Sequence, residues 1–184
     1  VAEKHFIQGG PEAVNIRRIA SEVGYTAPNL YKYFSGKEAI IETLIQRRMQ
    51  EIVKTLDAVD TEGLSTLETF KKKFKAHFYA VLKYKEHYRT VMLSKDPTVL
   101  EKTAMLDPER YTRLPAQKKL VETLEHAIEN QEIREVDPLL TSQIIWSSLF
   151  GLLIRIITEG FDDTDHMERL IEHYLDMCFH GIMA

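Results

Sequence analysis

Between Gly24 and Glu38 the chain reads GYTAPNLYKYFSGKE, and Asn29, Tyr31, Lys32, Tyr33 and Lys37 crowd polar tips into about three helical turns. Asn29 and Lys32 can hydrogen-bond to base edges, while Ala27 or Pro28 can meet a thymine methyl. Phenol hydroxyls and an ammonium suit phosphate oxygens, which position a protein on a duplex without reading it. A segment that only fills a core has no use for so many polar tips. The chemistry indicated is contact with a phosphate-walled groove.

Two short helices have to position these residues. Asn15 suits the N-cap of a helix with Ile16, Ile19, Ala20 and Val23 on one face, stopped by Gly24. Thr26 suits the cap of a second helix running to about Ser35. At 100° per residue, Ala27, Leu30 and Phe34 share its inner face. Pro28, Asn29 and Lys32 point away, with Tyr31 and Tyr33 on the flanks. Pro28 is harmless in a first turn, where its missing N–H has no intrahelical acceptor. Lys37 opens the next helix, so an ammonium and free backbone N–H groups are jointly available to a phosphate. Arg17 in the preceding helix is the counterpart on the other side. A glycine-linked helix pair also occurs where no DNA is bound, and capping alone explains Asn15 and Thr26.

The stretch NIRRIASEVGYTAPNLYKYFSGKEAIIETLI resembles the DNA-binding domain of the tetracycline-repressor (TetR) family of bacterial transcriptional regulators. The likeness is carried by Ile16, Ile19, Ala20, Gly24, Thr26, Leu30, Tyr31, Tyr33, Phe34, Lys37 and Glu38, with Ala2, Phe6 and Gly10 upstream. Asn15 stands where Thr is common, and Arg18 where an acid is frequent. The first helix reads as cut short, and the family often carries a basic arm before it. The helical patterning of the chain itself reads as an all-α fold of about nine helices. Residues 1–36 would be a three-helix DNA-binding head, and residues 37–184 an effector-binding and dimerisation body. The resemblance implies a homodimer on a palindromic DNA operator, acting as a repressor released by a small-molecule effector. The alternative is a helical interaction module or ligand-binding protein that leaves DNA alone.

Beyond the head the chain reads as helix throughout. A long helix is expected from about Lys37 to Asp57, with Ile40, Ile41, Leu44, Ile45, Ile52 and Val53 as its stripe. Ser65 and Glu68 form a capping box for the next. Pro97 and Pro108 break up the following stretch, and a helix resumes near Leu114 and runs to Asn130. The sequence EVDP opens a helix ending at Gly160, and Asp165 is expected to cap the last one. The helix after Pro138 is apolar nearly all round, so one stripe faces its own core and another suits a partner. By resemblance the last two helices pair with those of a second subunit. Ser147, Gly151 and Ile154 would meet Leu170, Tyr174, Met177 and Cys178 there. Phe74, His77, Phe78, Met92, Tyr111 and Trp146 could line an effector pocket. An aromatic stripe at helical spacing is more simply the mark of core, and His77 and His126 read as satisfied or surface histidines. Lys71–Lys75 reads as a solvated face.

The chain's 184 residues carry a net charge of −4, but this is unevenly spread. Residues 1–50 hold seven Lys/Arg against five Asp/Glu, and the remainder 17 against 23. Only the first part thus suits a polyanion. The single cysteine, Cys178, rules out an internal disulfide and fits a cytoplasmic protein. Nothing reads as a signal peptide or as a membrane partner; the apolar run Ile144–Ile157 is interrupted by Ser147, Ser148 and Arg155. There is no His-Glu-x-x-His, paired-cysteine motif, glycine-rich phosphate loop or nucleophile elbow. His166, Glu172, His173 and His180 come nearest to a metal set. No catalytic residue, metal or cofactor is expected.

Overall fold

The computed structural model describes residues 1–181, apart from the side chain of His180. Among the described residues eleven α-helices follow one another: α1 Ala2–Gly9, α2 Ile16–Glu22, α3 Ala27–Tyr31, α4 Lys37–Asp57, α5 Thr66–Lys83, α6 Lys85–Met92, α7 Pro97–Lys102, α8 Pro108–Arg113, α9 Pro115–Glu129, α10 Pro138–Glu159 and α11 Thr164–His180. A 3-10 turn, Pro11–Ala13, links α1 to α2. No β-strand occurs among the described residues. The count exceeds the expected nine because residues 85–113 form three separate short helices. Pro97 and Pro108 each open one, behind Asp96 and Asp107 as side-chain N-caps.

The chain divides into two compact units. The first is Val1–Lys54 with Tyr84–Thr103; the second is Thr55–Lys83 with the chain from Ala104 onward. In the first, Phe6, Ile41 and Val99 are fully buried alongside Val14, Ile16, Ile19, Ile40, Ile45 and Val91. Burying each such side chain contributes roughly 1.5–3 kcal/mol. Val91 and Val99 come from α6 and α7, so this unit draws on far more chain than the first three helices. Arg48 on α4 ties it further: its guanidinium bonds to Glu3 and Glu51 and lies 4.3 Å from the Tyr84 ring centre.

In the second unit α9 packs against α10. The turn out of α9 puts Gln131 at φ 58°, while Gln131 and Glu132 donate to Ile128 and Ala127. Asp137 caps α10 by accepting from Leu140 N at 2.8 Å. α10 has the length and apolarity of a membrane span, yet a continuous stripe of it, including Ile145, Trp146, Leu149, Leu153 and Ile156, is buried inside this unit.

Several local expectations are corrected. The N-cap of α11 is Asp163, bonded to His166 N at 2.9 Å, two residues before Asp165. Val23 and Val53, expected on inner faces, are exposed. The lysines of Lys71–Lys75 are not merely solvated. Lys71 pairs with Asp176 at 2.9 Å, and Lys75 with Glu168 at 2.7 Å and Glu172 at 2.9 Å. Those two carboxylates push the Lys75 ammonium up to about 12. The row joins α5 to α11 through partners that local patterning cannot pair.

Candidate nucleic-acid interface

Asn15 has extended backbone and accepts Arg18 N at 3.1 Å, which fixes the start of α2. At its other end Gly24 adopts φ +75°, and two bonds close the turn: Tyr25 N to Ala20 O at 2.9 Å and Gly24 N to Ser21 O at 3.2 Å. A left-handed residue with this crossed pair is how a helix ends when the chain must reverse sharply, and glycine takes that conformation without strain. Thr26 follows as the cap position of α3, but its side chain makes no capping bond. α3 closes at Tyr31 rather than near Ser35. A last turn persists beyond it, since Tyr33 N and Phe34 N both donate to Leu30 O at 3.0 Å.

Ala27, Leu30 and Phe34 are partly buried against the core of the first unit. On the other side Thr26, Pro28, Tyr31, Lys32 and Tyr33 are exposed, Tyr33 to 80%, and Asn29 is half-buried. An exposed tyrosine pair has no packing role to account for it. Its hydroxyls remain available to a ligand.

Beside this face lies a cleft of about 440 Å³ lined by Val14, Asn15, Ile16, Arg17, Tyr31, Ser35, Gly36, Lys37 and Glu38. Arg17, Tyr31 and Lys37 thus converge from α2, α3 and α4 on one recess. The first-turn N–H groups of α4 have no intrahelical acceptor, and the helix dipole adds partial positive charge there. An oxyanion fits the recess by charge and by donor count. Sequence reasoning missed Glu12, whose carboxylate lies 3.4 Å from Lys37 Nζ; 25 residues of separation leave no local signal for that pair. Near the opposite end of α2, Glu22 accepts from His5 at 2.9 Å and Arg18 at 3.0 Å. Desolvation pushes its pKa up, but the Arg18 and His5 hydrogen bonds outweigh this and hold it below the usual carboxylate range.

The other residues singled out from the sequence fall into two groups. Phe74, His77, Phe78, Tyr111 and Trp146 are all buried in the second unit, whereas Met92 lies on α6 in the first. Tyr111 meets Ser142 at 2.5 Å. His77 does not fit the expectation of a satisfied histidine, because its Nδ1 is buried without a partner; His126 is exposed. On α10 and α11, Gly151 and Met177 are exposed, while Ser147, Ile154, Leu170, Tyr174 and Cys178 are half-buried. The Tyr174 hydroxyl donates to Ile145 O at 2.8 Å and lies 2.9 Å from Ser148 Oγ, and burial pushes the Cys178 thiol up. Leu140 and Ile144, 56% and 68% exposed, lie at helical spacing before Gly151 and belong to the same outer stripe. Their spacing was visible in the sequence. No group of three or more potential metal ligands occurs among the described residues; the side chain of His180 lies outside them.

Residues 1–44 match the family model for bacterial regulatory proteins of the tetR family. No curated protein matches the chain. Among solved structures it is similar to the fatty acid degradation regulator FadR from Bacillus halodurans, at 17% identity over 96% of this chain and 89% of that one, with a TM-score of 0.71. A Clostridium perfringens protein provisionally described as a fatty acid metabolism regulator gives 20% identity, 98% and 95% coverage, and a TM-score of 0.74. The TetR family transcriptional regulator PfmR from Thermus thermophilus gives 22%, 96% and 93%, and 0.62. At these identities the structures speak for the fold alone. The head thus matches the family model for bacterial regulatory proteins of the tetR family over residues 1–44, and the whole chain shares its fold with solved tetR-family transcriptional regulators.

Proposed function

We propose that the chain works as a homodimeric, sequence-specific DNA-binding regulator in the cytoplasm. It acts as a repressor that leaves a palindromic operator when a small molecule binds. The observation that carries this reading is the convergence of Arg17, Tyr31 and Lys37 on one cleft beside the exposed Pro28, Lys32 and Tyr33. Cations and helix N-termini hold phosphate, and the neighbouring outward face enters the major groove, with Thr26, Ala27 and Asn29 at its base-proximal end.

One helix of this length reads too few bases, and a two-fold pair reads two half-sites about one helical turn apart. The exposed stripe Leu140, Ile144, Gly151 on α10, with Met177 on α11, supports pairing through these helices. A Cβ added at Gly151 meets nothing within 4 Å in its own chain. The fold of one chain therefore has no need of glycine there, whereas close approach of a second helix does. Ser148 turns its hydroxyl back to Ile144 O at 2.8 Å, which removes a polar group from that face.

The test is fluorescence anisotropy of a labelled duplex across a salt series. Binding constants should fall linearly with log salt, and Lys37→Ala should weaken all sequences alike and lower the slope by about one per subunit. An unchanged slope removes Lys37 from the phosphate contacts. Absence of salt-dependent binding by the folded dimer overturns the reading.

A further inference from the structure

Of the three cations at the candidate interface, Arg17, Lys32 and Lys37, only one is already engaged. Among the described residues Arg17 and Lys32 have no carboxylate partner, whereas Lys37 Nζ lies 3.4 Å from a carboxylate oxygen of Glu12. The backbone builds this placement. Glu12 sits in the 3-10 turn Pro11–Ala13, which Ala13 N and Val14 N close on Gly10 O and Pro11 O at 3.1 and 3.2 Å. Gly10 enters the turn at φ +69°, and a Cβ on Gly9 would stand 2.6 Å from that of Ala13. Val14 then anchors the exit in the core, at 2% exposure. The Glu12 backbone is thus held from both sides, while its side chain is 83% exposed. A pair this open to solvent contributes little to the stability of the fold. What it changes is the charge that a ligand meets.

We propose that Glu12 is an internal competitor for Lys37: its carboxylate takes the place of a DNA phosphate in the free protein and is displaced when the duplex docks. The proposal rests on reading the cleft between Arg17, Tyr31 and Lys37 as a phosphate site. Lys37 carries one charge, and while Glu12 neutralises it none is left over for a phosphate. Docking therefore exchanges one anion for another where a free lysine would add a contact. Once displaced, Glu12 remains on its anchored turn beside the same phosphate and repels it. Both effects weaken binding. Neither depends on base sequence, because phosphates are alike at every site. Glu12 sets the grip of the head on all DNA below the strength its cations would otherwise give, and leaves discrimination to α3.

A double-mutant cycle on the full chain tests this, with parent, Glu12→Gln, Lys37→Ala and the double variant. Each is titrated by fluorescence anisotropy against a labelled mixed-sequence duplex over a salt series. Glu12→Gln keeps the shape of the side chain and removes its charge. It should tighten binding about fivefold at low salt, counting one exposed ion pair in each of two subunits. The gain should fade as salt rises, which steepens the salt dependence. In the Lys37→Ala background the same change should gain less than about twofold, since the cation it releases is gone. Thermal melts of parent and Glu12→Gln should coincide, which separates the effect from folding.

Unchanged affinity in Glu12→Gln, with Lys37→Ala still weakening binding, overturns the proposal and keeps the DNA-binding reading. A gain of equal size with and without Lys37 also overturns it, because Glu12 then acts as a general negative charge and not through the pair. If neither parent nor Glu12→Gln binds the duplex in a salt-dependent way, the phosphate reading of the cleft falls, and the proposal falls with it.

Discussion

His77 gives a stability prediction whose size can be worked from its surroundings. Burial against Phe74 and Trp146 pushes its pKa down to about 4, from about 6.5 when unfolded, with no charged neighbour contributing. Between these values the unfolded chain binds the proton and the folded chain does not. Stability therefore rises with pH across that window and is lost as pH falls from 6.5 towards 4. At pH 5 the unfolded histidine is nearly all protonated and the folded one barely so, which corresponds to about 2 kcal/mol relative to about pH 7.5. Urea unfolding followed through Trp146, in the same unit, measures this directly at the two pH values. His77→Leu removes the titrating group and the stranded Nδ1, so it should fold at about pH 7.5 and lose about 2 kcal/mol less than the parent on acidification. His87 has a pKa lowered similarly, chiefly by burial, but it lies in the other unit and is present in both proteins. Identical pH dependence of parent and variant would falsify the assignment of a neutral, buried His77.

Other expectations follow from single contacts. Asn15→Ala removes the cap on α2 and should destabilise the head by about 1 kcal/mol by thermal melting, with Asn15→Ser or Asn15→Asp nearly neutral. Tyr111→Phe strands the fully buried Ser142 hydroxyl and should cost about 1–3 kcal/mol in urea unfolding. Ile144→Asp places a charge on the outer stripe of α10 and should convert a dimer into a folded monomer in sedimentation velocity; a dimer that survives it places the interface elsewhere.

The parts of this architecture that local rules govern could be read from the sequence. The capping box at Ser65 and Glu68 forms as expected, with Ser65 N to Glu68 Oε2 at 2.9 Å and Glu68 N to Ser65 Oγ at 3.2 Å. α4 runs from Lys37 to Asp57, as its apolar spacing predicts. What could not be read depends on contacts between distant segments. Nothing in Val91 or Val99 announces that α6 and α7 complete the core around Phe6 and Ile41. Lys75 looked solvated because its partners lie 93 and 97 residues away. The early end of α3 and the left-handed Gln131 are decided by the turns that follow them, where propensity is weakest. At the interface, residue types and helical phase indicated Arg17, Tyr31 and Lys37, but their meeting in one cleft needed the fold. His77 Nδ1 and Trp146 Nε1, both buried with no hydrogen-bond partner, were beyond any sequence rule, since a missing partner is visible only once every neighbour is placed.

Whether two of these heads read DNA together is decided by selecting binding sites from random double-stranded DNA at near-physiological salt. A two-fold pair of recognition helices predicts enrichment of a pseudo-palindrome with half-sites about one helical turn apart or slightly more. A folded dimer that enriches no sequence would contradict it.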